Sequence, residues 1–184
     1  MTDKLKGKRV AILITDGFEQ VEMTKPRKAL DDAGAVTTLI SPKSREVQGW
    51  NHHDKGDRFP VDQELKSADP NNFDALLLPG GVANPDQLRT IPEAVKFVTS
   101  FFAAHKPIAA ICHGPWLLVE ADVVRGYKMT SWPSLKTDLT NAGAKWTDSS
   151  VVVDRGLITS RKPDDLPAFN EKMLEEFSHQ PVHA

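Results

Sequence analysis

Three short apolar runs, each followed by a turn and a helical period, restrict this 184-residue chain to few folds. They are residues 9–15 (Arg-Val-Ala-Ile-Leu-Ile-Thr), 74–78 (Asp-Ala-Leu-Leu-Leu) and 107–111 (Pro-Ile-Ala-Ala-Ile). Each is apolar at successive positions rather than alternate ones, which is the pattern of a strand covered on both faces. Residues 36–40 add a further strand. Helices are expected over 19–33, with Gly34 at the end and a kink or restart at Pro26, and over 92–105, where Ala94, Val95, Val98, Phe101 and Phe102 share a face. Further helices are expected over 116–119, 133–142 and 164–177, the last with an inner stripe of Leu166, Phe169, Met173, Leu174 and Phe177. Residues 62–68 read as a short helix and 82–89 as a turn or helix. Residues 127–132, 145–147 and 151–153 read as strands, and Asp154-Arg155-Gly156 turns the chain into a strand over 157–160. The stretch 41–60 is polar and irregular, with a possible strand pair around 46–50 and 58–61. The tail through His179 and His183 is expected to fray.

Strands alternating with helices imply an α/β three-layer sandwich, a mostly parallel central sheet with helices on both faces, formed by one domain over 1–184. The ends of parallel strands open onto one edge. Glu19, Glu22, Gly80, Gly81, Asp86, Cys112 and His113 can therefore converge there, although they are far apart in the sequence.

Cys112 is the only cysteine. It follows an apolar strand and precedes Gly114, which permits a sharp turn, and Pro115, which suits a first helical turn. A side chain at such a junction resembles a nucleophile elbow, and a thiol beside a helix N-terminus should ionise more easily. The alternative is a small buried hydrophobe. Glu19 and Glu22, at i and i+3 of a first helical turn, could complement the helix dipole on a solvated surface or serve the thiol. Gly80-Gly81 can form an anion-binding nest, although the third glycine of a dinucleotide fingerprint is missing. Asp86 reads as a cap or as an acid that orients a histidine. His52-His53 in a polar stretch has no partner spacing for a metal site, and no metal is expected.

A net charge of −2 without a basic block argues against nucleic acid or an anionic membrane as the main partner. One cysteine excludes an internal disulfide and Cys-rich zinc motifs. The chain starts without an apolar signal segment and contains no run of membrane-spanning length, so a cytoplasmic location is expected.

Four sets of residues are more specific together than apart: Asp16 to Glu22; Leu78-Pro79-Gly80-Gly81 with Asn84-Pro85-Asp86-Gln87-Leu88-Arg89; Ala110-Ile111-Cys112-His113-Gly114-Pro115; and Val151 to Asp154 with Thr159 to Phe169. The chain thereby resembles the PfpI branch of the ThiJ/PfpI superfamily, of the flavodoxin-like, class I glutamine amidotransferase-like fold. Only 41–60 and the C-terminal tail fall outside the resemblance. It implies Cys112 as nucleophile, Glu22 as the carboxyl that meets the thiol, and Glu19 as a neighbouring acid. It also implies His113 as the family histidine and Asp86 as an acidic third member, often supplied by an adjacent subunit. Gly81 and His113 would offer oxyanion-hole N–H groups, with Gly80 beside them, and Trp132 would be a pocket aromatic where relatives usually carry Tyr. No cofactor is implied, and a homodimer or higher homo-oligomer is. An ionised Glu22 would repel a thiolate, so the two groups are expected to share a proton.

Three functions are compatible with this resemblance. The first is stress-protective processing of reactive carbonyls, of glyoxalase III or deglycase type, on methylglyoxal or its adducts. The second is an intracellular cysteine peptidase using Cys112, His113 and Asp86 on a peptide substrate. The third is a non-catalytic redox sensor or chaperone through Cys112 oxidation. Glutamine amidotransferase activity is disfavoured, because neither His179 nor His183 is followed two residues on by a glutamate.

Overall fold

Apolar residues alternate between two cores along the central strands, and this alternation builds the layers. The computed structural model describes residues 3–179. Its elements begin with β1 (Arg9–Leu13), β2 (Phe18–Glu19), α1 (Val21–Asp32), β3 (Val36–Ser41), β4 (Glu46–Asn51), β5 (Asp54–Pro60), β6 (Gln63–Glu64) and β7 (Ala75–Leu78). They continue with α2 (Ala83–Leu88), α3 (Pro92–Ala103), β8 (Ile108–Ile111), α4 (Pro115–Glu120) and β9 (Lys128–Met129). The chain closes with α5 (Lys136–Asn141), β10 (Lys145–Trp146), β11 (Val152–Asp154), β12 (Leu157–Ser160) and α6 (Leu166–Ser178).

The main sheet runs β11-β12-β8-β7-β1-β3-β6 and is parallel except for β11, which pairs antiparallel with β12. On one face Ala11, Leu13, Leu76, Leu78, Ile108 and Ala110 pack with Phe97 and Phe101 of α3, Leu117 of α4 and Leu139 of α5. On the other, Val10, Ile12, Leu77, Ala109 and Ile111 pack with Met23 and Leu30 of α1 and Phe169, Met173 and Phe177 of α6. The expected three layers are present. The chain leaves β1 toward β3 on one side and later returns to β7 on the other. This reversal of strand order opens a crevice beyond the carboxyl ends of β1 and β7, where ligands bind in open α/β sheets.

Several boundaries differ from expectation. Helix α1 starts at Val21, because Phe18–Glu19 pairs in parallel with Gly49 and Trp50 of β4 and Phe18 is fully buried. Glu19 and Glu22 therefore sit on a strand and a helix rather than on one helical face. Pro26 removes one N–H, yet α1 runs through it without a break. Residues 62–68 form β6 and a single 3-10 turn, since Asp62 accepts the Leu39 N–H at 2.8 Å and ties the segment to the edge of β3. The strand expected over 127–132 is confined to Lys128–Met129, and the helix over 133–142 opens with a 3-10 turn before α5. The expected tail through His183 lies outside the described residues.

The polar stretch 41–60 is largely a hairpin. Strands β4 and β5 pair antiparallel around His52-His53, with His52 at a φ of 57°. The Gly17 N–H donates to Gln48 O at 2.9 Å and the Gln20 N–H to Trp50 O at 2.8 Å. Gln20 also exchanges two hydrogen bonds with Asp57, at 2.7 and 2.8 Å. The hairpin is thus fastened to the segment that leads into α1. No helix among the described residues is long and apolar enough to cross a membrane.

Phe101 is fully buried against Phe97, at a ring-centroid distance of 5.2 Å. Phe101→Ala should cost about 3–5 kcal/mol in urea unfolding. A loss below about 1 kcal/mol would show that this helix face is not a core.

Candidate active site

Strand β8 ends at Ile111, and the next residue adopts a conformation that side chains rarely take. Cys112 has a φ of 63°, a left-handed geometry that costs about 1–3 kcal/mol unless the surroundings enforce it. Here they do. The Cys112 N–H donates to Ser160 O at 3.0 Å, Cys112 O accepts from the Trp132 N–H at 3.0 Å, and the Gly114 N–H returns to Ile111 O at 2.9 Å. A Cβ on Gly114 would lie 2.6 Å from Leu78 O, so the close turn requires glycine. Pro115 then opens α4. The elbow expected from Cys-His-Gly-Pro is formed.

Glu22 approaches from α1 and is fully buried. Its Oε1 accepts the Gly80 N–H at 3.1 Å, while Oε2 is buried without a well-formed hydrogen bond. A Cβ on Gly80 would come within 2.6 Å of that Oε1 and 2.7 Å of Cys112 Cβ. Gly80 is therefore the space that lets carboxyl and thiol meet. Gly81 follows at a φ of 77°. Asn84 holds the turn: its Oδ1 accepts the Thr15 N–H at 2.8 Å, and its Nδ2 donates to Pro79 O and Gly80 O, both at 3.1 Å.

Burial first, then the charge of Glu19, pushes the Glu22 carboxyl from 4.5 up to about 8; the Gly80 N–H, the Cys112 thiol and the Gly81 N–H act in the opposite sense. Burial first, then the charge of Glu22, pushes the Cys112 thiol well above the ordinary thiol range, opposed by the Gly81 and His113 N–H groups. The expectation of an easily ionised thiol at a helix N-terminus is therefore outweighed by burial next to a carboxyl. At neutral pH Glu22 retains its proton, which removes the repulsion and makes a donor of the carboxyl. The pair then holds two protons at neutral pH, rather than the single shared proton expected from the sequence, and it comes to share one only after the first is lost.

His113 Nδ1 lies 3.2 Å from Cys112 Sγ. Its ring stacks on Trp132 at 5.9 Å and meets Trp116 edge-on at 5.2 Å. Burial lowers its pKa to about 4, so the imidazole is neutral at physiological pH.

Cys112, Glu22, Glu19, His113, Gly81 and Trp132 line one pocket of about 700 Å³, with Gly80 immediately behind Glu22. Asp86 is not among them. Helix α2 turns Asn84, Pro85 and Leu88 inward and leaves Asp86 exposed, with no side-chain partner among the described residues. Within one chain the set Cys112, His113 and Asp86 does not assemble. Trp50, His52 and His53 also line the pocket and carried no pocket role in the sequence reading. The apolar positions Val47 and Phe59 in a polar stretch were the available signal for a packed hairpin there. No cluster of metal-ligating side chains is found among the described residues.

The sequence profile of the DJ-1/PfpI family matches residues 8–176. The chain is 45% identical over 171 residues to Protein/nucleic acid deglycase 2 of Escherichia coli, covering 91% of this chain and 96% of that one. It is 41% identical over 169 residues to "Putative cysteine protease YraA" of Bacillus subtilis, covering 91% and 97%. The crystal structure of Drosophila melanogaster DJ-1beta superposes with a TM-score of 0.85 at 28% identity, covering 94% of this chain and 91% of that one.

A carboxyl raised on folding stabilises the protein fully below its unfolded pKa, and that stabilisation is lost as pH rises toward the folded value. The Glu22 contribution is thus complete below about pH 4.5, declines up to about 8 and is flat above. Across that window the Tm of the native protein should fall more steeply than that of Glu22→Gln. Parallel Tm–pH curves would show that Glu22 is not held protonated.

Proposed function

The chain belongs to the DJ-1/PfpI family, and on that footing we propose that it is a thiol-dependent enzyme that detoxifies reactive carbonyls, acting on methylglyoxal or its adducts through Cys112. The observation behind this reading is the buried Glu22 carboxyl beside the Cys112 thiol at the floor of an open pocket. A carboxyl that holds its proton near neutral pH can give and take one within a single turnover. The deglycase relative supports the same substrate class.

In this mechanism the thiol proton passes to Glu22 in the fraction of molecules where that carboxyl is ionised, and the sulfur adds to the aldehyde carbon. The carbonyl oxygen takes the negative charge and is met by the N–H groups of Gly81 and His113, then takes up a proton to give a hemithioacetal. Glu22 as carboxylate removes the hydrogen from the former aldehyde carbon and returns it to the adjacent carbon, leaving a lactyl thioester. Water cleaves the thioester to lactate and regenerates the thiol. The net reaction is methylglyoxal plus water to lactate, with no external oxidant or reductant. We also place Asp86 of the partner subunit beside His113 in a homodimer or larger assembly, because Asp86 is exposed on each chain next to an exposed Val82.

A cysteine peptidase is the second reading, favoured by the 3.2 Å contact between Cys112 and His113. Against it, His113 is held neutral between two tryptophans, and no carboxylate hydrogen-bonds to it among the described residues.

Lactate formation from methylglyoxal, without glutathione or added metal, separates the two. Cys112→Ala should abolish turnover, and Glu22→Gln should lower kcat by about 100-fold or more. Turnover no higher than that of Cys112→Ala would remove the carbonyl reading and leave the peptidase.

A further inference from the structure

The walls of the pocket carry an imbalance of charge. Asp16, Glu19 and Glu22 line it, and no lysine or arginine does. Two of the three carboxyls are already compensated. Asp16 is paired with Lys43 at 2.6 Å and also accepts the Gln48 N–H at 2.8 Å. Glu22 is buried and protonated near neutral pH. Glu19 differs from both. It is half-buried, and among the described residues no cation pairs with it and the only hydrogen bond to its carboxylate comes from the His52 N–H, shared between both oxygens at 3.2 Å. Its charge thus faces a space walled by the indole rings of Trp50 and Trp132. Aromatic faces attract cations and do not solvate anions. Low-dielectric walls also concentrate the field of a charge within a cleft. Independently of Glu19, the unpartnered and buried Glu22 Oε2 belongs to a side chain that lines the same pocket. Protonated near neutral pH, that carboxyl adds a hydrogen-bond donor, and no cation, to the recognition surface.

The cavity, about 700 Å³, is also several times larger than a three-carbon dicarbonyl requires. A larger substrate would reach from the sulfur at the floor to the hairpin at the mouth.

We infer that Glu19, with the rings of Trp50 and Trp132, forms a cation-recognition subsite that selects carbonyl compounds or adducts bearing a positively charged group and rejects those bearing a carboxylate or phosphate. This rests on the proposed carbonyl chemistry for the word carbonyl, and the charge preference itself is measurable without turnover. Glu19 acts here as a specificity residue, and Trp50 enters the site only because β4 pairs with β2.

The test uses the single cysteine as reporter. Two methanethiosulfonates of similar size, 2-(trimethylammonium)ethyl and 2-sulfonatoethyl, each transfer their thioalkyl group to the thiolate and release methanesulfinate. Their rates with the native protein are followed by intact mass at about pH 8, where an ordinary imidazole is neutral. Each rate is divided by that for 2-mercaptoethanol. The cation-to-anion ratio should exceed the free-thiol ratio on the order of tenfold at low ionic strength and shrink with added salt. Glu19→Gln should reduce the ratio several-fold, and Glu19→Asp, which keeps the charge, should preserve most of it. A native ratio equal to or below that of the free thiol overturns the inference, whatever the variants do. A ratio unchanged in a folded Glu19→Gln removes Glu19 from it. Failure of the methylglyoxal assay would sink the carbonyl reading and leave this ratio unaffected, so the two failures are distinguishable.

Discussion

The pocket depends on one backbone conformation that the surroundings have to enforce. Cys112 turns left-handed at the end of a buried parallel strand, held by hydrogen bonds to Ser160 O on β12 and from the N–H of Trp132 beyond β9. Both partners come from chain that follows Cys112, so the elbow exists only after the C-terminal half has packed. Gly114 and Gly80 leave the space this geometry needs. A side chain at either would press on carbonyl oxygens or on the Glu22 carboxyl. The strain is tolerable because β8 is a central strand whose own side chains are fully buried, and a well-packed core resists relaxation.

The electrostatics follow from that placement. Burial of both a thiol and a carboxyl would be costly for two ionised groups, and the local N–H groups of Gly80, Gly81 and His113 offset part of it. Keeping both groups protonated at neutral pH avoids burying either charge. The neutral imidazole of His113 suits the same economy, since an imidazolium enclosed by Trp116 and Trp132 would be poorly solvated. Glu19 lies at the half-exposed side of the pocket, and its carboxylate is felt at Glu22. The site therefore grades from a buried, protonated thiol and carboxyl at its floor to a carboxylate with no cation partner among the described residues at its wall.

Much of this was legible in the chain. Runs of consecutive apolar residues identified β1, β7 and β8, and parallel topology then placed Glu22, Gly80, Gly81 and Cys112 at one edge. Helical periodicity found α3 and α6 and most of their inner faces. Three features were not legible. Glu19 read as the start of a helix and Phe18 was not read as a strand, because a two-residue strand has no periodicity and its partner β4 lies about 30 residues away. The strand pair of the hairpin was expected but its docking was not, because that docking joins hydrogen bonds to Gly17 and Gln20 with burial of Val47 and contact of Phe59 with Phe18, all set by residues distant in the chain. The outward direction of Asp86 follows from which residues of α2 the core accepts, and a six-residue helix carries too few to settle that from pattern alone.

The sequence by itself determined the layers, the strand-to-helix elbow and the sheet edge at which Glu22 and Cys112 come together. Apolar runs, glycines and prolines act locally, and the handedness of β-α-β connections does the rest. Only the tertiary structure decided the protonation of that pair and the composition of the pocket wall. Both depend on burial and on cross-chain distances: the thiol is pushed up rather than down because it is itself buried, with Glu22 beside it, and Trp50 and His52 reach the site because β4 pairs with β2. Such terms belong to the folded arrangement of residues far apart in the chain, and no local pattern encodes them.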